Sequence, residues 1–339
     1  MKHFWKYVAP VLLASTALPL FWLLKEQQYD INHFQKEDQT YSQLQPHLRE
    51  YFIDVRGIKL HINEVGNPKG KKLLVFLHGF PETGLVLWKH QLLHFAESKD
   101  LRVIAPDMRG YNTSFKSDSV DVSNSIESAL DICALIETLG YQKAYVVGHD
   151  WGGAVSFGVA LNRPELVEKL IVINAPHPQG FKKSLSVDQL FKSWYMLFFQ
   201  LNGISEWKLQ QSDYAWLIGW GLATGNPKSY SLEDLRRLRE AWSQPGALTS
   251  MINYYRQTIR SFTTSGGDLS SNYKSYQLQS PTLIIWGKKD PYLASVIAEN
   301  SFEFAPKESS KLVYIEDATH WVPHEAPDQI NSLIFQFIQ

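Results

Sequence analysis

The segment YVVGHDWGGAV, residues 145–155, joins an apolar run to a run of small residues and places a single carboxylate, Asp150, between them. An apolar strand and a sharp turn with small flanking residues are typical of a nucleophile elbow, which usually carries serine. An aspartate there cannot form a stable acyl enzyme, but it can attack an electrophilic sp³ carbon and leave an alkyl ester. Epoxides and carbon–halogen bonds are suitable electrophiles. The alternative is a structural aspartate that caps the following helix.

The strand before Asp150 is one of eight that the sequence predicts. They are residues 51–55, 58–65, 72–79, 101–107, 143–150, 168–176, 281–287 and 311–317. Most are continuous apolar runs, which indicates a sheet that is covered on both faces. Helical spacing between them, as in residues 125–139, predicts an α/β fold with a mostly parallel sheet flanked by helices.

One region interrupts the alternation of strands and helices. Residues 178–274 are rich in aromatic residues, and they show helical patterns without a convincing strand. We interpret them as a helical cap inserted into a core of residues 51–177 and 275–339. The cap is expected to cover the carboxyl edge of the sheet, where open α/β sheets bind ligands.

The N-terminus predicts a membrane anchor. Residues 7–24 carry no charge and are about as short as a bilayer-spanning helix can be. The lysines before them predict residues 1–6 as a cytoplasmic tail, which places the catalytic domain on the non-cytoplasmic side of a single-pass protein. Residues 25–50 are polar and are interpreted as a tether. A cleaved signal peptide and an interfacial or buried helix remain alternatives.

Composition limits the function further. The chain has 339 residues, a net charge of −1 and scattered basic residues, so nothing indicates nucleic-acid binding. The single cysteine, Cys133, cannot form an internal disulfide and is predicted to lie in the core.

The string HGFPE, residues 78–82, follows a buried strand directly. Backbone N–H groups of Phe80 and of Trp151, the residue after the nucleophile, are expected to form an oxyanion hole. Pro81 fixes the turn, and a cis Phe80–Pro81 bond is compatible with the sequence. His78 is interpreted as structural rather than catalytic.

The remaining members of a catalytic triad follow later strands. Asp290 lies in the loop after strand 281–287, and His320 lies in the loop after strand 311–317. Nucleophile, acid and base then occur in the order expected of an α/β-hydrolase. Asp290 would hold His320, which would activate water. His324 is the competing base, but it follows Pro323 and is expected to open the final helix.

Four strings together resemble the epoxide hydrolase branch of the α/β-hydrolase superfamily, and the resemblance covers about residues 50–339. In chain order they are HGFPE, DMRGYNTS, GHDWGG and THWVPHE. The N-terminus resembles that of membrane-anchored relatives of the soluble mammalian-type epoxide hydrolase. The family commonly has glycine where Asn112 stands. Asparagine tolerates positive φ, so we expect the turn to be preserved. Asn112 also begins a formal glycosylation sequon.

The resemblance implies further site residues. The family polarises and protonates the departing oxygen with two cap tyrosines, which correspond here to Tyr195 and Tyr255. Helical periodicity independently favours Tyr255 over Tyr254, because Tyr255 shares an apolar stripe with Met251 and Ile259. Substrate-binding residues implied in this way are Phe80, Pro81, Trp151 and Trp321. No metal or organic cofactor is expected.

The leading hypothesis is an epoxide hydrolase that converts a lipophilic epoxide to a vicinal diol through an ester on Asp150, hydrolysed by a water molecule that His320 activates. A haloalkane or haloacid dehalogenase is the alternative, and a non-catalytic binding protein with this fold is a third possibility. Fatty-acid epoxides, terpenoid epoxides and xenobiotics remain open as substrates, and the sequence does not determine the oligomeric state.

Overall fold

The computed structural model describes residues 29–264, 273 and 275–339, and a single sheet runs through them. Its strands are β1 (Arg49–Val55), β2 (Ile58–Gly66), β3 (Lys72–Leu77), β4 (Leu101–Pro106), β5 (Ala144–His149), β6 (Val167–Ile173), β7 (Thr282–Gly287) and β8 (Lys311–Ile315). Their spatial order is β1-β2-β4-β3-β5-β6-β7-β8. β2 pairs antiparallel with β1 and β4, and the other pairings are parallel. The predicted eight-stranded, mostly parallel sheet is confirmed.

Helices flank this sheet on both faces and also form the insertion between β6 and β7. They are α1 (Thr40–Leu44), α2 (Gly84–Phe95), α3 (Ser125–Thr138), α4 (Trp151–Asn162), α5 (Pro178–Lys183), α6 (Val187–Lys192), α7 (Trp194–Phe198), α8 (Ile204–Trp216), α9 (Leu232–Trp242), α10 (Ala247–Thr264), α11 (Val296–Phe302), α12 (Val322–Glu325) and α13 (Pro327–Ile338). A π-helical turn at Leu217–Leu222 follows α8.

Strand β3 shows why its run of apolar residues is continuous. Leu73, Val75 and Leu77 pack into one hydrophobic cluster, whereas Leu74 and Phe76 pack into a second one. Because successive side chains of a strand point to opposite faces, the two clusters lie on the two sides of the sheet. A strand buried on both faces has no position for a polar residue, which is the pattern expected of a central parallel strand.

The described chain between β6 and β7 is helical, from α5 to α10. These helices contact core loops through specific bonds. Trp242 Nε1 donates to the Pro81 carbonyl at 2.6 Å, and Gln189 Nε2 donates to the Tyr292 carbonyl at 2.9 Å. The inserted helices therefore hold loops that follow β3 and β7. The exact limits of a cap at residues 178 and 274 remain a prediction.

The predicted tether differs from what the structure shows for residues 29–50. This stretch packs against the core and the inserted helices, and it includes α1 and the start of β1. Asp38 and Asp234 both bond the buried Lys89 of α2, at 2.6 and 2.5 Å, while Tyr41 donates to Asp234. The interpretation as a tether rested on polar composition. Polar side chains that are buried by mutual pairing look the same in sequence as exposed ones, so composition alone does not distinguish the two.

The predicted membrane location is wrong on the structural evidence. None of the helices in the described residues has both the length and the apolarity needed to cross a bilayer. The stretch on which the prediction rested, residues 7–24, lies outside the described residues, as do the predicted tail 1–6 and the first residues of the tether.

Candidate active site

The turn between β5 and α4 holds Asp150 in an unusual backbone conformation, with φ 52° and ψ −122°. Its small neighbours are required by close packing. A Cβ on Gly148 would overlap the backbone of Gly152 across the turn, one on Gly152 would overlap the backbone of Leu77 at the end of β3, and one on Gly79 would overlap the Asp150 side chain itself. The strained turn thus projects the Asp150 carboxylate beyond the carboxyl end of the sheet, as the sequence motif predicts.

The loop after β3 approaches this carboxylate. The Phe80 N–H donates to Asp150 Oδ1 at 2.8 Å, and the Phe80–Pro81 peptide bond is cis. Trp151 is the first residue of α4, where a backbone N–H has no partner within the helix. Asp150 Oδ1 therefore already occupies a position where a developing negative charge would be stabilised.

His320 lies between the two aspartates. Its Nδ1 donates to Asp290 Oδ2 at 2.7 Å, and its Nε2 is 3.5 Å from Asp150 Oδ2. Burial alone would lower the pKa of His320, but the charges and hydrogen bonds of Asp290 and Asp150 outweigh it and raise the pKa to about 10. Both aspartates therefore favour the charged form of the His320 ring.

Asp290 is bound on both oxygens. Oδ1 accepts from the Tyr292 and Leu293 N–H groups at 2.7 and 2.9 Å, and Oδ2 accepts from Asn174 Nδ2 at 2.6 Å in addition to His320. Burial would raise the pKa of Asp290, but the His320 charge and these hydrogen bonds lower it. The carboxylate therefore stays ionised and fixed in position.

Sequence reasoning missed Asn174. It lies directly after β6 at φ 43°, and its Oδ1 accepts from the Gly287 N–H at 2.7 Å while its amide holds Asp290. The available signal was a polar residue at the end of a buried apolar strand. Asparagine tolerates the left-handed conformation of this turn better than most residues.

His149, directly before Asp150, was also missed. Its Nε2 is bonded to the His320 carbonyl at 2.8 Å, and the two rings are 4.7 Å apart. Burial, and then the positive charge of His320, lower the pKa of His149 to about 3. A neutral ring that donates through Nε2 fixes the backbone of the His320 loop.

Tyr195 of α7 and Tyr255 of α10 are buried and line the same cavity as Asp150. Their ring centroids are 5.5 Å apart, and the Tyr255 ring is 5.0 Å from the ring of Trp151. Burial, followed by the charge of Asp150, raises the pKa of both tyrosines well above the ordinary value. Both hydroxyls consequently remain protonated at neutral pH and are available as donors.

The structure distinguishes the predicted site residues from three alternatives, Tyr254, His324 and His78. Tyr254 points away from the cavity, since its hydroxyl donates to the Arg109 carbonyl at 2.9 Å. His324 is fully buried in a 2.7 Å pair with Glu82. His78 is also buried, and its Nε2 accepts from the backbone of the loop after β4. Each of the three has a structural partner away from the reacting carboxylate.

The active-site cavity lies between the sheet edge and the inserted helices. Phe80, Pro81, Trp151 and Trp321, the four residues expected to contact substrate, all line it. Most of the lining is aromatic or aliphatic. In the part of the chain that the structure describes, no cluster of three or more His, Cys, Asp or Glu side chains is arranged to hold a metal ion.

Two other sequence expectations concern single residues. Asn112 adopts φ 45°, and its Nδ2 donates to the buried Asp107 at 2.7 Å, so the side-chain nitrogen of the sequon is engaged. Cys133 lies in the core, where burial raises its pKa to about 12.

The chain is similar to several known proteins. A family model described as the alpha/beta hydrolase fold matches residues 72–205. The chain is 39% identical over 290 residues to the AB hydrolase superfamily protein YfhM of Bacillus subtilis (strain 168), covering 85% of this chain and 97% of that protein. It is 33% identical over 291 residues to epoxide hydrolase 4 of Mus musculus, covering 84% and 77%.

A solved structure is similar over the same region. It is a mutant epoxide hydrolase from Bacillus megaterium in complex with its diol product, with a TM-score of 0.77 and 28% identity, covering 85% of this chain and 99% of that one. The shared fold, the carboxylate at the elbow and these relatives lead to one assignment. The chain belongs to the epoxide hydrolase branch of the α/β-hydrolase superfamily.

Proposed function

We propose that the protein hydrolyses a lipophilic epoxide to a vicinal diol through a covalent ester on Asp150. The observation that carries the proposal is the convergence of four groups on one apolar cavity: the Asp150 carboxylate, the hydroxyl-bearing rings of Tyr195 and Tyr255, and His320. A carboxylate nucleophile, two proton donors and a base are together what opening an epoxide and hydrolysing the resulting ester require.

The two oxygens of Asp150 have different surroundings, which assigns them different roles. Oδ1 accepts the Phe80 N–H, whereas Oδ2 faces His320 at 3.5 Å. In our proposal Oδ2 attacks an epoxide carbon and the carbon–oxygen bond of the ring breaks. The departing oxygen takes a proton from Tyr195 or Tyr255, so that a hydroxyl forms rather than an alkoxide.

Ester formation changes the electrostatics of the base. The resting His320 has its pKa raised by two carboxylates, and alkylation removes the charge of Asp150. The pKa of His320 should then fall, because one of the two interactions that favour its charged form is lost. His320 then returns its proton to the tyrosinate that ring opening leaves, and the neutral ring, still oriented by Asp290, can take a proton from water.

Hydrolysis then completes the cycle. The activated water attacks the carbonyl carbon of the ester, and negative charge develops on Oδ1, which accepts from the Phe80 N–H; we assign the Trp151 N–H as its second donor. The bond between that carbon and Oδ2 breaks, and the diol oxygen receives the proton from His320. Asp150 is released as a carboxylic acid with one oxygen that comes from solvent, and its proton passes to His320, which restores the resting carboxylate.

A test of the proton donors is the change of Tyr255 to phenylalanine. We expect kcat/KM for an epoxide to fall roughly tenfold to a hundredfold, because one donor remains, and the double change with Tyr195→Phe to cost about 10³-fold. The measurement is diol formation from a panel of terminal, styrenic and fatty-chain epoxides.

Tyr254→Phe provides the matched control, since its hydroxyl is bonded to the Arg109 carbonyl outside the cavity. It should keep nearly all activity. A halide leaving group needs no proton, so faster halide release from chloroalkanes than diol formation from epoxides, unaffected by Tyr255→Phe, would favour the dehalogenase instead.

A further inference from the structure

The two ends of the active-site cavity differ in chemistry. Around Asp150 the walls are aromatic, whereas farther along α10 and across from it they carry hydroxyl and amide groups. The described residues of this polar end are Ser125, Gln257, Thr258, Ser261 and Tyr273. Nothing in the epoxide chemistry described above uses these groups.

Gln257 has an unused acceptor. Its Oε1 is buried, and among the described residues it has no hydrogen-bond partner, while its Nε2 makes only a 3.4 Å contact with Ser261 Oγ. A buried acceptor without a partner costs free energy, so such atoms are normally paired with a ligand or a water molecule. Thr258 differs, because its hydroxyl already donates to the Tyr254 carbonyl at 2.9 Å.

Among its described lining residues, the cavity has no unpaired cationic side chain that could bind an anion. The charged side chains among its described lining residues are Asp150 and His320, and neither lysine nor arginine is included. His320 is already paired with Asp290. A carboxylate buried at the polar end would therefore lose its hydration without gaining a cation, which is costly.

The position of the polar end relative to the reacting centre follows from the helix. Gln257 and Ser261 lie two and six residues beyond Tyr255 on α10. With a rise of 1.5 Å per residue, this corresponds to about 3 and about 9 Å along the helix axis. With an epoxide bound at Tyr255, the substrate group that reaches the polar end would lie several bonds away from the oxirane.

We infer that the substrate is an apolar epoxide that carries an uncharged hydrogen-bond donor, a hydroxyl or amide group, several bonds from the oxirane, and that Gln257 accepts its hydrogen bond. The inference rests on the proposed function and narrows its substrate class. It favours neutral hydroxylated or amidated epoxides over free epoxy acids.

The test uses three terminal epoxides on an unbranched six-carbon chain that end in a methyl, a hydroxyl or a carboxylate group. We measure kcat/KM for each with the wild-type chain, Gln257→Leu and the matched control Thr258→Val. Gln257→Leu should lower the hydroxyl-to-methyl ratio of kcat/KM roughly three- to tenfold, as expected for the loss of one neutral hydrogen bond. Thr258→Val should leave that ratio unchanged within about twofold, because its hydroxyl is used inside the helix.

The wild-type chain should also hydrolyse the hydroxylated epoxide at least roughly tenfold more efficiently than the carboxylated one. An unchanged hydroxyl-to-methyl ratio in Gln257→Leu, or a carboxylated epoxide that performs as well as the alcohol, would overturn the inference and leave the epoxide hydrolase proposal intact. If the wild-type chain opens neither these epoxides nor any of the terminal, styrenic and fatty-chain panel, the proposed function itself fails.

Discussion

Changing Asp150 to alanine should abolish epoxide hydrolysis, with kcat falling by at least about 10⁴-fold. In the proposed mechanism Asp150 supplies both the attacking oxygen and the carbonyl that is later hydrolysed. Its loss therefore removes both chemical steps rather than slowing them. Diol formation under substrate saturation is the measurement.

Alanine is preferable to asparagine at this position. In this chemistry a neighbouring water can hydrolyse an asparagine back to aspartate, which would restore activity slowly and obscure the result. Circular dichroism and the melting temperature should show that Asp150→Ala retains the fold. A folded Asp150→Ala protein with unchanged activity towards epoxides would refute the role of Asp150 as nucleophile.

Changing His320 to glutamine should separate the two chemical steps. Ring opening needs the Asp150 carboxylate and the tyrosine donors, which remain, whereas ester hydrolysis loses its base. We expect steady-state turnover to fall by about 10³–10⁴-fold, with a burst of substrate consumption equal to one molecule per active site. Intact-mass spectrometry should then find the chain heavier by the mass of one substrate.

The wild-type chain, sampled at the same time after mixing, is the control and should carry less adduct. Peptide mapping should locate the adduct on the peptide that contains Asp150. An inactive His320→Gln protein that consumes no substrate and carries no adduct would contradict the assignment of His320 to hydrolysis alone.

The fold was largely predictable because it depends on local patterns. Each strand is a short apolar run bounded by polar or small residues, and burial on both faces of β3 leaves that run continuous. The elbow was predictable for a different reason. Close contacts at Gly148 and Gly152 exclude any larger side chain, so packing constrains the residues on both sides of Asp150.

Other features depend on which segments meet in space, which a pattern along the chain does not report. Asn174 looks like an ordinary residue after a strand until β6 and β7 pair and its amide reaches Asp290. Lys89 likewise looks like an ordinary helix residue until the fold brings Asp38 and Asp234, from two distant segments, into contact with it. The predicted membrane location rested on a hydropathy window alone, whereas no helix among the described residues is long and apolar enough to cross a bilayer.

The central claim is that an enzyme oxygen, rather than a solvent oxygen, first enters the product. The most direct test is a single turnover in H₂¹⁸O with the protein in excess over epoxide, followed by mass spectrometry of the diol and of the peptide containing Asp150. The ester mechanism predicts an unlabelled diol and one ¹⁸O atom in Asp150. A labelled diol together with an unlabelled Asp150 would mean that water attacks the epoxide directly, and the mechanism proposed for this chain would be wrong.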